Sequence, residues 1–365
     1  MTKIRVLTTS PSIETRNNVS GIANLTRLWI ENNKEVDYFL FTAGKKDKTV
    51  HNLLWFIQQP FILIQFLIFL IKHKKTIDII HINYPLEKLS IIRDTSFIKI
   101  ASLIKKPILI HFRGGIYSKN EHIPFFYKFL INISIQKAKQ IIFLGEGEKS
   151  IFTNLFKIDH QKLSILPNCV YVPEYIMKSI SGDQNIVILF LGRLDKNKGL
   201  NEIIIGLSKL PFKLHFTFKI AGEGPEREWF ISSCQKFLYN KFQYLGVVSG
   251  LSKIEVLKSS HIFLLPSYYE GLPNALLEAM SYGLVPIVTS VGSIPEVVTN
   301  LENGLIIPVK DGEAIHDAIL SLISNPDLFI RLSNNAYKRI LTNYSLNDYL
   351  NKLNKKYLEL IEQNY

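Results

Sequence analysis

The sequence predicts an α/β protein built as two parallel-sheet domains. Three observations carry that expectation. The chain has 365 residues, 47% of them hydrophobic, a length that favours two domains with a core each. Short β-branched runs alternate with helical stretches in both halves, which argues parallel sheets with helices on both faces. Between the halves, residues 171–185 collect Pro173, Ser179, Ser181 and Gly182 and read as a linker. The expected domains are 1–172 and 173–344, followed by a helical tail over 345–365.

Residues 4–9 form the first expected strand. A Ser/Asn-rich loop follows, and Gly21 opens a helix over 22–31. That loop and helix start could face a phosphate, or be an ordinary strand-to-helix turn; the residues alone leave both open. Residues 36–41 give a second strand, and Lys45, Lys46, Asp47 and Lys48 a solvated turn. Residues 53–71 are strongly apolar, but Pro60 and three glutamines interrupt them, and the unbroken part falls short of the roughly 20 residues that span a bilayer. Lys72, His73, Lys74 and Lys75 follow directly. A buried helix and an interfacial membrane helix both fit this stretch.

Residues 77–82, 107–112 and 140–144 read as buried strands. His111, Arg113, Asn83 and Glu146 lie at or just past their carboxyl ends, where ligands bind in open α/β sheets. On its own residues, a lone histidine such as His111 reads as structural. In the second half, 261–267 is a short buried strand. Pro273 and Asn274 then start a helix, since proline's missing N–H costs nothing in a first turn, and Gly283 ends it. Glu270 falls on the loop between them and Glu278 within the helix, so that two carboxylates flank a gap about as long as a sugar diphosphate.

The formal net charge is +12, distributed unevenly. Residues 1–175 carry 24 Lys and Arg against 13 Asp and Glu, an excess of 11, whereas 176–365 carry 19 against 18, an excess of 1. A basic half suits nucleic acid, a membrane or an acidic substrate. With no zinc spacing, RNA-binding aromatic signature or Lys/Arg run, nucleic acid is not expected as a partner. Cys169 and Cys234 make no disulfide framework, as in a reducing compartment. The start of the chain reads as a strand rather than a signal peptide.

Several short motifs recur in a fixed order: Phe190-Leu191-Gly192-Arg193-Leu194 with Lys198-Gly199; Ala221-Gly222-Glu223-Gly224-Pro225; Tyr244-Leu245-Gly246; Pro266-Ser267 through Met280; Gly283 to Val288; Gly292 to Glu296; and Asn303-Gly304-Leu305. Together, from Ile188 to Pro308, they resemble the retaining, nucleotide-sugar-dependent glycosyltransferases of family 4. The first half resembles that family only loosely. Cys169 stands where a glycine is usual, and Ser290 and Ser293 where Asp and Gly are common.

The resemblance implies the GT-B fold: two Rossmann-like domains facing each other across a cleft, the last helix crossing back onto the first domain. It implies a donor site of Arg193, Lys198, Gly222, Glu270, Gly271, Leu272, Pro273, Asn274 and Glu278, with Gly21 bordering the diphosphate. Arg193 and Lys198 would stabilise the leaving diphosphate in place of a metal, so no cofactor is expected. Glu278 would accept from the ribose hydroxyls, Glu270 would serve the donor hexose, and His111 would face the reacting sugar. Arg113 and Asn83, with His111, are the acceptor candidates. Backbone N–H groups at Gly271, Leu272 and Asn274 would add donors, while Pro273 has none, and Gly222 would let the backbone approach the nucleotide. The expected partners are a nucleotide-sugar, UDP-linked before GDP-linked, a lipid-linked or surface-polysaccharide acceptor, and the anionic cytoplasmic face of the membrane. Two rivals remain: a nucleotide-sugar epimerase of the same fold, which needs acid/base carboxylates that the first half has few of, and a catalytically silent binding partner, which would not need Arg193, Lys198, Glu270 and Glu278 together.

Overall fold

A computed structural model describes residues 3–14, 20–44, 53–117, 122–180 and 184–363. The chain divides into two compact units, Met1–Asn168 with Asn347–Tyr365, and Cys169–Leu346. Each holds one six-stranded sheet, and every pairing between the strands is parallel.

In the first unit the order along the chain is β1 (Ile4–Ser10), α1 (Gly21–Asn32), β2 (Val36–Thr42), α2 (Leu53–His73), β3 (Ile79–Tyr84), α3 (Lys88–Ala101), β4 (Ile108–Phe112), α4 (Phe125–Lys137), β5 (Gln140–Phe143), α5 (Glu146–Leu155) and β6 (Leu163–Ile165). In the sheet the strands lie β2-β1-β3-β4-β5-β6. The chain steps from β1 outward to β2 and then reverses to β3. Right-handed crossovers therefore put α1 on one face and the later helices on the other. Alternation along the strands sorts the side chains accordingly. Leu7, Ile80, Ile82, Tyr84, Ile110 and Phe112 join Phe66, Leu70 and Phe97 in one core. On the opposite face His81 and His111 stack with Trp29 of α1.

The C-terminal helix Leu346–Glu362 supplies Tyr349 and Tyr357 to this second face: Tyr349 stacks on Trp29 at 5.7 Å and the Tyr357 hydroxyl lies 2.6 Å from Nδ1 of His81. Asn354 of the same helix and Asn33 exchange side-chain hydrogen bonds.

The bounds of β3 differ from the sequence expectation in a way that moves a candidate residue. β3 begins at Ile79 and runs on to Tyr84, so Asn83 lies inside the strand rather than after it. Pairing of Asn83 with His111 and of Tyr84 with Phe112 carries the strand past a residue that by itself suggests a turn. Glu146 follows β5, as expected, and is the first residue of α5. The Lys45–Lys48 turn lies outside the described residues, as do residues 15–19 of the loop before Gly21. Ser20 caps α1 there, its hydroxyl accepting from the Ala23 N–H.

The apolar stretch is a 21-residue helix that continues through Pro60. Phe66 and Leu70 are buried in the core, whereas Phe61, Ile64, Ile68 and Ile71 point to solvent, 53–61% exposed. The helix is therefore neither wholly core nor wholly superficial. No helix among the described residues is long and apolar enough to cross a membrane.

The second unit runs β7 (Ile186–Leu191), α6 (Leu200–Ser208), β8 (Phe216–Ala221), α7 (Arg227–Leu238), β9 (Phe242–Gly246), α8 (Gly250–Lys258), β10 (Ile262–Leu265), α9 (Asn274–Ser281), β11 (Val285–Thr289), α10 (Ile294–Val297), β12 (Leu305–Ile307), α11 (Gly312–Ser324) and α12 (Pro326–Asn343). Its sheet order is β12-β11-β10-β7-β8-β9. The order reverses between β10 and β7, the kind of switch point at which ligands bind in such sheets. Pro273 precedes the first residue of α9, and Gly283, at φ +72°, follows its end as expected from the sequence.

Candidate functional site

The carboxyl ends of β7 and β10 are locked together by backbone. Gly199 has φ +66°, and a Cβ there would stand 2.1 Å from the Pro266 carbonyl oxygen. The Tyr268 N–H donates to the Asn197 carbonyl at 2.8 Å. The Asp195 carboxylate caps the short turn Lys196–Lys198 through the Asn197 N–H. This packing aims Lys198 at the loop after β10, and its Nζ lies 2.5 Å from Oε1 of Glu270. The Ser267 hydroxyl donates to the same oxygen at 2.7 Å, and Glu270 is only 7% exposed. The Tyr268 hydroxyl donates to the buried Glu202 at 2.5 Å, fastening the loop to α6. Burial first, and that carboxylate second, push the Tyr268 hydroxyl up to about 12.

Glu278 sits in α9 with Oε1 2.6 Å from Nζ of Lys253, on α8. Both carboxylates expected from the sequence are thus engaged, each by a lysine from another element. Lys253 escaped the sequence reading, for it is an isolated lysine in an ordinary helix, 25 residues from its partner. Arg193 stands apart: its side chain is 72% exposed, with Asp195 at 3.9 Å. Gly222 has φ +145°, and a Cβ there would meet the Gly192 carbonyl oxygen at 1.8 Å. That backbone approach between the ends of β7 and β8 by itself requires glycine there. The Ser293 N–H donates to the Gly271 carbonyl at 3.0 Å, joining the loop of Leu272 and Pro273 to the start of α10.

In the first unit Arg113 follows β4. Its Nε donates to Oδ1 of Asn83 at 2.7 Å, Nη1 reaches Oδ1 of Asn168 at 3.4 Å, and the guanidinium carbon lies 4.7 Å from the Trp29 ring centre. Nη2 has no hydrogen-bond partner among the described residues. Asn83 donates to the Thr9 carbonyl at 2.7 Å, so it acts as a bracket for Arg113.

His111, expected to face a substrate, is fully buried. Strand alternation places it under α1 and the C-terminal helix, stacked with His81 at 5.6 Å and Trp29 at 6.3 Å. Burial above all, then the Arg113 charge, lowers both histidines well below their usual range, so both are neutral near pH 7. His81 and Trp29 were not singled out from the sequence: residues brought together across such separations leave no linear pattern. Among the described residues, no cluster of three or more His, Cys, Asp or Glu could hold a metal ion.

Residues 173–339 match the family described as glycosyl transferases group 1. That match lies within the second unit. The matched segment contains Arg193, Lys198, Gly222, Glu270 to Asn274 and Glu278, whereas Gly21, Asn83, His111 and Arg113 lie before it. An uncharacterized glycosyltransferase of Methanocaldococcus jannaschii is 26% identical over 245 residues, covering 64% of this chain and 62% of that protein. The chain thus spans somewhat less than two thirds of that relative. The N,N'-diacetylbacillosaminyl-diphospho-undecaprenol alpha-1,3-N-acetylgalactosaminyltransferase of Campylobacter jejuni is 25% identical over 297 residues, 76% of each chain. Among solved structures, sucrose-phosphate synthase from Thermosynechococcus elongatus aligns over 99% of this chain and 100% of its own, with a TM-score of 0.76 at 15% identity. Anabaena HepE in complex with UDP aligns over 97% of this chain and 99% of its own, with a TM-score of 0.72 at 12% identity. At such identities these structures speak for the fold alone, the GT-B fold expected from the group 1 motifs.

Proposed function

We propose that this protein is a retaining, metal-independent glycosyltransferase. It moves a sugar from a nucleotide-sugar, UDP-linked in preference to GDP-linked, to a lipid-linked or surface-polysaccharide precursor at the cytoplasmic face of the membrane. The observation that carries the reading is the Lys198–Glu270–Ser267 cluster at the end of β10, with the Glu278–Lys253 pair on the helix that follows.

Cleaving a sugar–phosphate bond builds negative charge on the departing diphosphate and positive charge at the anomeric carbon. Fixed cations and dipoles aimed at the first stabilise the transition state. Arg193 takes that role as an exposed fork for bidentate phosphate contact, and Lys198 as a point charge. Glu270 serves the hexose and the positive charge at its anomeric carbon, and Glu278 accepts from the ribose hydroxyls. Gly271, Leu272 and Asn274 supply N–H donors at the start of α9, and Gly21 the corresponding start of α1. On the acceptor side Arg113 is the anion-binding group; Asn83 holds it, and neutral His111 stacks with the Trp29 ring that lies against its guanidinium. Relatives support the acceptor class: three are named for sugars linked to undecaprenol through a diphosphate.

The test is a panel of UDP- and GDP-sugars scored for released nucleotide, with and without a polyprenyl-diphosphate sugar. One UDP-sugar should release UDP faster when the acceptor is present, and Glu270→Gln should abolish that gain. If no nucleotide-sugar binds or turns over, the proposal fails.

A further inference from the structure

All strands of the first unit run parallel, so the connections entering them gather at one end of its sheet, away from Arg113 at the carboxyl ends. Three successive connections each carry two lysines: Lys74 and Lys75 before β3, Lys105 and Lys106 before β4, and Lys137 and Lys139 around the entry to β5. These strands are neighbours, about 4.8 Å apart, so the lysines form a row. Five are exposed and Lys106 is half-buried. None has an ion-pair partner among the described residues. The one acid in these connections, Asp78, is occupied by Arg5 at 2.9 Å.

Apolar surface adjoins this row. The outward stripe of α2, Phe61, Ile64, Ile68 and Ile71, runs down the helix to the connection bearing Lys74, and Leu103, 73% exposed, immediately precedes Lys105.

The geometry points to this rim as the docking surface for an anionic lipid bilayer: lysines on the headgroups, and the lower α2 stripe with Leu103 in the interfacial layer. Charge complementarity supplies the first part, since each basic residue near such a surface adds attraction. The second part favours a bilayer over a soluble polyanion. Exposed isoleucines and leucine gain nothing against a hydrated polymer, but gain by burial at the headgroup–acyl boundary. The inference rests on the membrane setting of the proposed function and not on the acceptor contact at Arg113, which lies at the other end of the sheet.

Vesicle sedimentation of the full chain tests it without using activity, and UDP binding measured in parallel reports separately on the transferase reading. The probes are phosphatidylcholine vesicles with and without phosphatidylglycerol, and heparin as a soluble polyanion. Binding should require phosphatidylglycerol and fall with salt. It should weaken about thirtyfold for each lysine pair changed to Gln, and weaken again in Ile68→Ser/Leu103→Ser. Lys213→Gln/Lys236→Gln/Lys338→Gln on the second unit should bind as wild type. Equal sedimentation of wild type and the six-lysine variant would overturn the inference. So would undiminished binding of Ile68→Ser/Leu103→Ser, equal binding to neutral vesicles, or capture by heparin without capture by vesicles.

Discussion

Replacing each site glutamate in turn separates the role of one from that of the other. Glu278 has one oxygen on Lys253 at 2.6 Å, and both side chains are 24% exposed, so solvent can take over the lysine when the carboxylate is removed. The cost of Glu278→Ala then falls on the ligand. A hydrogen bond to a charged group is worth about 1.5–3 kcal/mol, so losing the ribose contact should raise the Kd for UDP roughly 10- to 100-fold. Glu270 is 7% exposed and its Oε1 is occupied by Lys198 and Ser267. Glu270→Ala releases Lys198 toward the diphosphate, so UDP affinity should stay within about threefold of wild type or tighten, while sugar transfer falls by roughly 10- to 100-fold. Calorimetry with UDP, followed by transfer assays with the donor identified from the panel, reads both effects. Loss of UDP binding in Glu270→Ala with retention in Glu278→Ala would show the roles to be reversed.

Transfer should survive EDTA; strict loss restored by Mn²⁺ or Mg²⁺ would refute the assignment of diphosphate charge to Arg193 and Lys198. The buried histidines make the first unit sensitive to acid. His81 and His111 are neutral when folded, whereas in the unfolded chain they take up protons near pH 6.5. Stability is therefore complete above about pH 7.5 and falls as the pH drops through 6.5, by roughly 3 kcal/mol at most for the two between pH 7.5 and 5.5. Denaturant melts at the two pH values measure this, and His111→Asn should remove about half of the difference; a pH-independent midpoint would mean that the rings are not held neutral.

The second sheet was largely legible, and so was the meeting of Lys198 with the Glu270 loop, because these candidate residues sit in strand-to-helix turns a few residues long. Local chemistry marks such turns: a glycine where the backbones of β7 and β10 touch, a proline where α9 starts. Lys253 was not legible, since its role depends on α8 lying beside α9. The first unit was harder for the same reason. Trp29, His81, His111 and Tyr357 come from four elements, and only alternation along β3 and β4 places the histidines together on one face. That alternation also buries His111, which a reading by position at a strand end could not reveal. The stretch 53–71 carries nearly uniform hydrophobicity, and that uniformity hid its two faces; only packing of Phe66 and Leu70 against the sheet distinguishes the inward side from the outward one.

On the proposed reading, the pairing of Lys198 with Glu270 couples the two halves of the donor. The lysine and the carboxylate satisfy each other at 2.5 Å, with side chains 21% and 9% exposed. An incoming diphosphate competes with Glu270 for Lys198, and drawing the lysine away leaves a buried carboxylate short of a cation. Such a group is costly unless a new donor or a positive centre arrives with the ligand. The hexose of a nucleotide-sugar brings both, in its ring hydroxyls and in the charge that develops at its anomeric carbon; UDP alone brings neither. The pair should therefore weaken the free nucleotide relative to the complete donor, and Glu270→Gln should narrow the difference between them.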